Sequence, residues 1–138
     1  MRRAEIVAEA RSWLGTPFRH QGRLKGVGCD CIGLVVGVGR RFGLEPEDPA
    51  DYARLPDGRR LRAGLAANLA EVSADAARPG DVVLLRIRRD PQHVAILVPG
   101  EMMIHAFSAA GRVVATRLDA RWRRRRVAAY RFPGVEED

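Results

Sequence analysis

The hydrophobic pattern changes period once, at Arg78-Pro79-Gly80-Asp81, and that switch limits the fold more than any other feature. Before it, apolar residues recur at helical spacing; after it, they come in short β-type runs cut by turns. Ile6, Val7, Ala10, Trp13 and Leu14 predict an amphipathic helix over 3–14, ended by Gly15-Thr16-Pro17. Asp30 stands where an N-cap belongs, so a second helix is predicted from Cys31 to about Phe42, with Gly43 as its stop. Its apolar stripe is Ile32, Leu34, Val35, Val38 and Phe42. Leu61, Leu65 and Leu69 predict a third helix over 59–70. Residues 18–28, with Gly22, Gly26 and Gly28, and the Pro- and acid-rich stretch from Leu44 to Asp57 read as loops. Beyond the switch, strands are predicted over 82–87, 93–98, 102–108, 113–118 and 127–132, with turns at Pro91, Pro99-Gly100 and Gly111. Helices first and an antiparallel meander after make an α+β arrangement, and 138 residues suit one domain.

Composition enters by exclusion. An apolar fraction of 46% with 30% charged residues excludes collagen-like, low-complexity and disordered chains. The longest apolar runs, Val82–Leu85 and Val94–Val98, fall far short of the roughly 18 residues that span a bilayer, so no membrane insertion is expected. Met1–Leu14 mixes charge with apolar residues and lacks the apolar stretch of a signal peptide, so Sec-type export is not expected. Basic residues outnumber acidic ones 24 to 17, and Lys25 is the only lysine. A positive field of this size favours anionic partners: nucleic acid, phosphorylated surfaces or acidic wall polymers. The run Arg121-Trp122-Arg123-Arg124-Arg125-Arg126 is the segment a nucleic-acid contact would use. It belongs to no recognisable nucleic-acid module, and charge runs are ordinarily solvated faces, so nucleic-acid binding is the minor reading.

Cys29 and Cys31 flank Asp30. A disulfide across one residue is badly strained, and two thiols cannot complete a zinc site, so neither a bridge nor a metal or cofactor is expected. Cys31 falls in the first turn of a helix, where free N–H groups and the helix dipole lower a thiol pKa. Gly26 and Gly28 are expected to leave it approachable, and Cys29 to be an inert buried thiol. A nucleophilic cysteine needs a base and a group that orients the base. The histidines are His20, His93 and His105. With Pro99-Gly100-Glu101 as a hairpin loop, Val98 pairs with Met102, His93 faces Phe107 and His105 faces Ala95. Both imidazoles then project from one sheet face as diagonal neighbours, whereas a one-residue slip would part them. Asp30 is explained by its cap, Asp81 by its turn, and Trp13 as a core anchor.

These residues carry a resemblance. Asp30-Cys31-Ile32-Gly33-Leu34-Val35 resembles the Asp-Cys-Ser-Gly-Leu-Val signature of the NlpC family of cell-wall cysteine peptidases. Gly15-Thr16-Pro17-Phe18-Arg19, Pro79-Gly80-Asp81-Val82-Val83, His93-Val94-Ala95-Ile96 and Ile104-His105-Ala106 resemble further family segments in family order. The resemblance implies a papain-like (NlpC-type) fold, with N-terminal helices and a helix-borne nucleophile packed on an antiparallel sheet. It implies hydrolysis of a peptidoglycan stem peptide between γ-D-glutamate and a diamino acid. Cys31 would be the nucleophile and oxyanion donor, His93 the base and later acid, and His105 the orienter. Phe18 stands where the family often has Tyr, and Ile32 where it has Ser. His20, on the same face as Phe18 in an extended segment, is the candidate for the missing polar group.

His20-Gln21 and Lys25-Gly26-Val27-Gly28-Cys29-Asp30-Cys31 resemble the branch encoded among tail genes of phages and gene transfer agents. That implies a particle-tail location, tail structural proteins as partners, and action on the wall of a recipient cell. Two alternatives stay open: a catalytically weak tail subunit that keeps the fold, and a basic nucleic-acid-binding module.

Overall fold

In the computed structural model, which describes residues 1–48, 52–53 and 57–136, the chain begins with α1 (Arg3–Ser12). A small hairpin of β1 (Arg23–Leu24) and β2 (Gly28–Cys29) leads directly into α2 (Cys31–Arg41). Then come α3 (Gly58–Asn68), β3 (Ala70–Val72), β4 (Val82–Ile87), β5 (Asp90–Val98), β6 (Met102–Phe107) and β7 (Arg112–Arg117). The short α4 (Ala120–Arg124) and β8 (Arg126–Arg131) follow. Six strands form an antiparallel sheet in the order β3-β8-β4-β5-β6-β7. The α+β expectation holds. The hairpin β1–β2, strand β3 and helix α4 were not anticipated: residues 18–28 are not all loop, and the arginine run is a helical turn entering a strand.

The sheet has two unlike faces. Val82, Leu84, Val94, Ile96 and Ile104 point toward the helices and join Ile6, Ala10, Trp13, Leu34 and Val38 in the main core. Val83, Leu85, Ala95, Leu97 and Met103 form a smaller cluster on the other face, under Leu118 and Trp122. Glycine brings α2 into close contact with its surroundings. A Cβ on Gly37 would lie 2.2 Å from the Trp13 ring, and one on Gly33 2.0 Å from the Gly22 carbonyl oxygen. Trp13, buried as the anchor of α1, donates its indole N–H to Glu9 at 3.0 Å.

Two polar devices aim the segment that carries Cys31. Asp81, wholly buried, binds Arg3 and Arg131 at 3.0 Å each and accepts the Arg78 N–H, tying α1 to the entry of β4. That is the structural role expected of it. Residues 15–18 then run along the outer edge of β7: Gly15 N–H reaches Val113 O, Val113 N–H reaches Thr16 O, and Phe18 N–H reaches Gly111 O. Cys29 N–H in turn bonds Pro17 O, and Arg19 N–H bonds Cys29 O. The sheet edge is thereby covered, and the chain is delivered to the first turn of α2.

Candidate active site

The Asp30 carboxylate caps α2, accepting the Gly33 N–H at 2.8 Å, as the sequence predicts. It also accepts the Gln21 N–H at 2.8 Å, the Tyr52 hydroxyl, and the Arg23 guanidinium at 3.1 Å. Arg23 is held in turn by Asp48 at 2.9 Å. Asp30 is therefore both a cap and the hub that locks the loops around Cys31. Tyr52 lies within the stretch read as surface connection, yet it is buried; Pro49, Ala50, Asp51 and residues 54–56 of that stretch lie outside the described residues. Of the two rim candidates, Phe18 packs against the main core, whereas His20 meets the Tyr52 ring edge-on at 5.4 Å. The polar group brought to this rim by geometry is Tyr52.

Cys31 is the first residue of α2, and its sulfur faces the peptide N–H groups of Val94, Ile32 and Cys31 itself. The Val94 contact follows from a break in the sheet. β5 pairs with β6 from Val98↔Met102 only to Ile96↔Ile104. In that register Val94 N–H would next bond β6; instead it is open to the Cys31 sulfur. The strands diverge here, and the thiol occupies the slot between them.

Two expectations about this thiol fail. It is only 7% exposed, so Gly26 and Gly28 do not open it: Gly26 turns the hairpin at φ 78°, and Gly28 accommodates the Arg19 stem. Nor is its pKa lowered. Burial, helped by the Asp30 charge, pushes it up to about 12 despite the three N–H groups, so desolvation outweighs the helix terminus. Cys29, fully buried, is also pushed up to about 12, which suits an inert thiol.

The two histidines meet as the hairpin register predicts. His93 Nε2 lies 2.7 Å from His105 Nδ1, and both rings are buried on the face opposite α2. The bond continues: His105 Nε2 is 2.8 Å from Thr116 Oγ1. Thr116 pairs with Met103 across β6 and β7, so it shares the face of His105 at a diagonal position. Burial pushes His93 down to about 3, with the neighbouring His105 adding to it, and burial pushes His105 down to about 4. Both imidazoles are neutral at pH 7, and each then has one donor and one acceptor nitrogen. His93 has committed Nε2 to His105, which leaves Nδ1 to take a proton. Among the described residues no hydrogen bond yet joins the thiol to an imidazole; such contacts tighten in substrate complexes.

The site thus combines a buried thiol on a helix N-terminus, at the Val94 peptide, with a buried two-histidine chain that begins at the preceding residue. The sequence pattern of the NlpC/P60 family runs through residues 15–131, most of the chain. The chain belongs to the NlpC/P60 family. It is 28% identical over 124 residues to the murein DD-endopeptidase MepS/murein LD-carboxypeptidase of Escherichia coli strain K12, covering 89% of this chain and 59% of that protein. The chain thus spans less than two thirds of the curated relative. The NlpC/p60 domain of the peptidoglycan hydrolase SagA superposes with a TM-score of 0.69 at 24% identity, over 93% of this chain and 97% of that one. A Staphylococcus aureus NLP/P60 family protein similar to lipoprotein gives 0.70 at 21% identity, over 98% of this chain and 42% of that one. Both likenesses are of fold, and the papain-like expectation agrees with them.

Thr116 and Tyr52, which bond His105 and Asp30, are residues around the candidate site that sequence reasoning missed. Thr116 had a usable signal, since a short β6–β7 hairpin places it diagonal to His105. Tyr52 had none, because the connection that carries it has no period.

Proposed function

We propose that this NlpC/P60 chain is a thiol-dependent peptidoglycan endopeptidase, with Cys31 as nucleophile, His93 as base and acid, and His105 as orienter. The observation that carries the reading is the slot between β5 and β6, where the helix-borne sulfur meets the Val94 peptide, the residue next to His93, whose Nε2 is bonded to His105. The relatives named as a murein endopeptidase and a peptidoglycan hydrolase support the substrate class.

The steps follow from the hydrogen-bond chain. For Nδ1 of His93 to accept the thiol proton, Nε2 must carry its own hydrogen and donate it to His105 Nδ1. His105 then carries its hydrogen on Nε2 and donates to Thr116 Oγ1. The Thr116 hydroxyl can accept that hydrogen, which the productive tautomer requires. The proton leaves Cys31 for His93 as sulfur attacks the scissile carbonyl, and the oxyanion takes the Cys31 N–H as donor. His93 passes that proton to the departing amine, and a thioester remains. Water, deprotonated by His93, attacks the thioester; the acid leaves and the thiol is restored. Forming the charged pair from two neutral groups costs free energy in the resting site, and substrate contacts must supply it.

The bond we assign is that between γ-D-glutamate and a diamino acid. The name of the Escherichia coli relative favours a second reading, cleavage of the cross-link or of the terminal stem residue. Digestion of purified diaminopimelate-type peptidoglycan by wild type and Cys31→Ala, with mass spectrometry of the products, separates them. Fragments ending in γ-D-glutamate support our assignment, cross-link scission supports the second, and equal release by Cys31→Ala removes the mechanism. Delivery by a phage or gene transfer agent tail rests on the likeness of residues 20–31 to that branch. Detection of the chain in purified particles tests it, and its absence from them would overturn it.

A further inference from the structure

The arginine run gains a role once folded. Asp119 caps α4 by accepting the Trp122 N–H at 3.0 Å. The strap is clamped on both sides: Leu118 N–H bonds Glu101 O at 2.8 Å, and Arg123 pairs with the Glu101 carboxylate at 2.8 Å. Arg86 N–H bonds Arg125 O at 2.8 Å, and its guanidinium bonds Arg124 O at 2.9 Å.

What the clamps hold in place is the indole. Its ring lies 5.6 Å from His105, edge-on at 85°, and 6.3 Å from His93. It also meets Phe107 at 5.8 Å, and Phe107 stacks on His105 at 5.0 Å and 21°. The Arg125 guanidinium sits 5.1 Å over the indole, stiffening it from outside. The aromatic wall therefore closes over the side of the imidazole pair that no helix of the N-terminal half covers. His105 has no exposed surface and His93 only 6%, although both lie on the thinly covered face of the sheet.

We propose that Trp122 is a positioning residue: held by the α4 strap, it keeps His93 and His105 in their bonded orientations and keeps water from the bond between them. This rests on the reading of Cys31, His93 and His105 given above. Nothing in the sequence motif around either histidine points to it, because Trp122 is 17 residues beyond His105 and reads as part of a charge run. Its action is indirect, through two rings, so losing it affects turnover rather than substrate affinity.

The test compares wild type, Trp122→Ala, Trp122→Phe and Cys31→Ala as full chains, each checked for folding by circular dichroism. Turnover on a purified muropeptide and the ¹⁵N spectrum of histidine-labelled protein are measured for each. Expected for Trp122→Ala is a kcat drop of roughly ten- to a hundredfold with KM within about twofold. Its His93 and His105 signals should move from one fixed tautomer each to averaged positions. Trp122→Phe should restore most of both readouts. If the alanine variant does not fold, Trp122→Leu replaces it and is read the same way. A folded variant with unchanged kcat and unchanged imidazole signals overturns the proposal. Undiminished turnover by Cys31→Ala would instead remove the reading beneath it, and the histidine spectra, which need no turnover, would still decide whether Trp122 positions the rings.

Discussion

The two faces of the main sheet are built on different principles. Toward the helices, packing is apolar and close, with glycines at 33 and 37 admitting a carbonyl and an indole where any side chain would collide. On the other face, a smaller apolar cluster lies beside two imidazoles and a threonine, which are aligned by hydrogen bonds and roofed by one short strap. Stability is concentrated on the first face and side-chain orientation on the second. The proposed nucleophile belongs to the first and its base to the second, and the Val94 peptide, where β5 leaves β6, lies between them.

That contrast can be broken by substitution. The largest effect is expected from His93→Ala, which should cut kcat per folded molecule by about a thousandfold. Next is Leu34→Ala on the helix face, where a fully buried side chain is lost. It should cost about 2–5 kcal/mol in urea unfolding, and the folded fraction should still turn over. Were Leu34→Ala to abolish activity in folded protein, the division between the faces would be wrong.

Smaller effects sharpen the picture. His93 and His105 are held at about 3 and about 4, below the ordinary 6.5, so the unfolded chain binds protons that the folded chain refuses. Their contribution is present above pH 6.5 and is lost as pH falls through that range toward the folded values. Between pH 7 and 5.5 the loss should be on the order of 2 kcal/mol, and His105→Asn should roughly halve it, since His93 keeps its own share. Cys31 has the opposite sign: raised from 9.0 to about 12, it contributes stability that is present below pH 9 and lost as pH climbs toward 12. Urea midpoints measured against pH should therefore show a plateau from about 7 to 9 that falls on both sides. Thr116→Val should lower kcat about tenfold by removing the acceptor that the productive His105 tautomer needs, and Thr116→Ser should recover it.

Much of this was legible because the signals are local. The Asp30 cap, the α2 stripe and the Pro99-Gly100 turn each act within a few residues, and together they placed Cys31 at a helix start and both histidines on one face. What was not legible depends on distant partners. The two-residue strands β1 and β2 sit where Cys29 also bridges Phe18 beside the edge of β7, and α4 hides its cap and its tryptophan among arginines. The thiol pKa was misjudged for the same reason. A helix terminus is visible in sequence, but the burial that overrides it is a property of the assembled slot.

The most direct test of the account is peptidoglycan hydrolysis by wild type, Cys31→Ala and Cys29→Ala measured side by side. The two thiols are two residues apart and both buried, yet only one reaches the slot between β5 and β6. Cys31→Ala should release nothing, and Cys29→Ala should turn over near the wild-type rate per folded molecule. Release by Cys31→Ala at the wild-type rate would contradict the account.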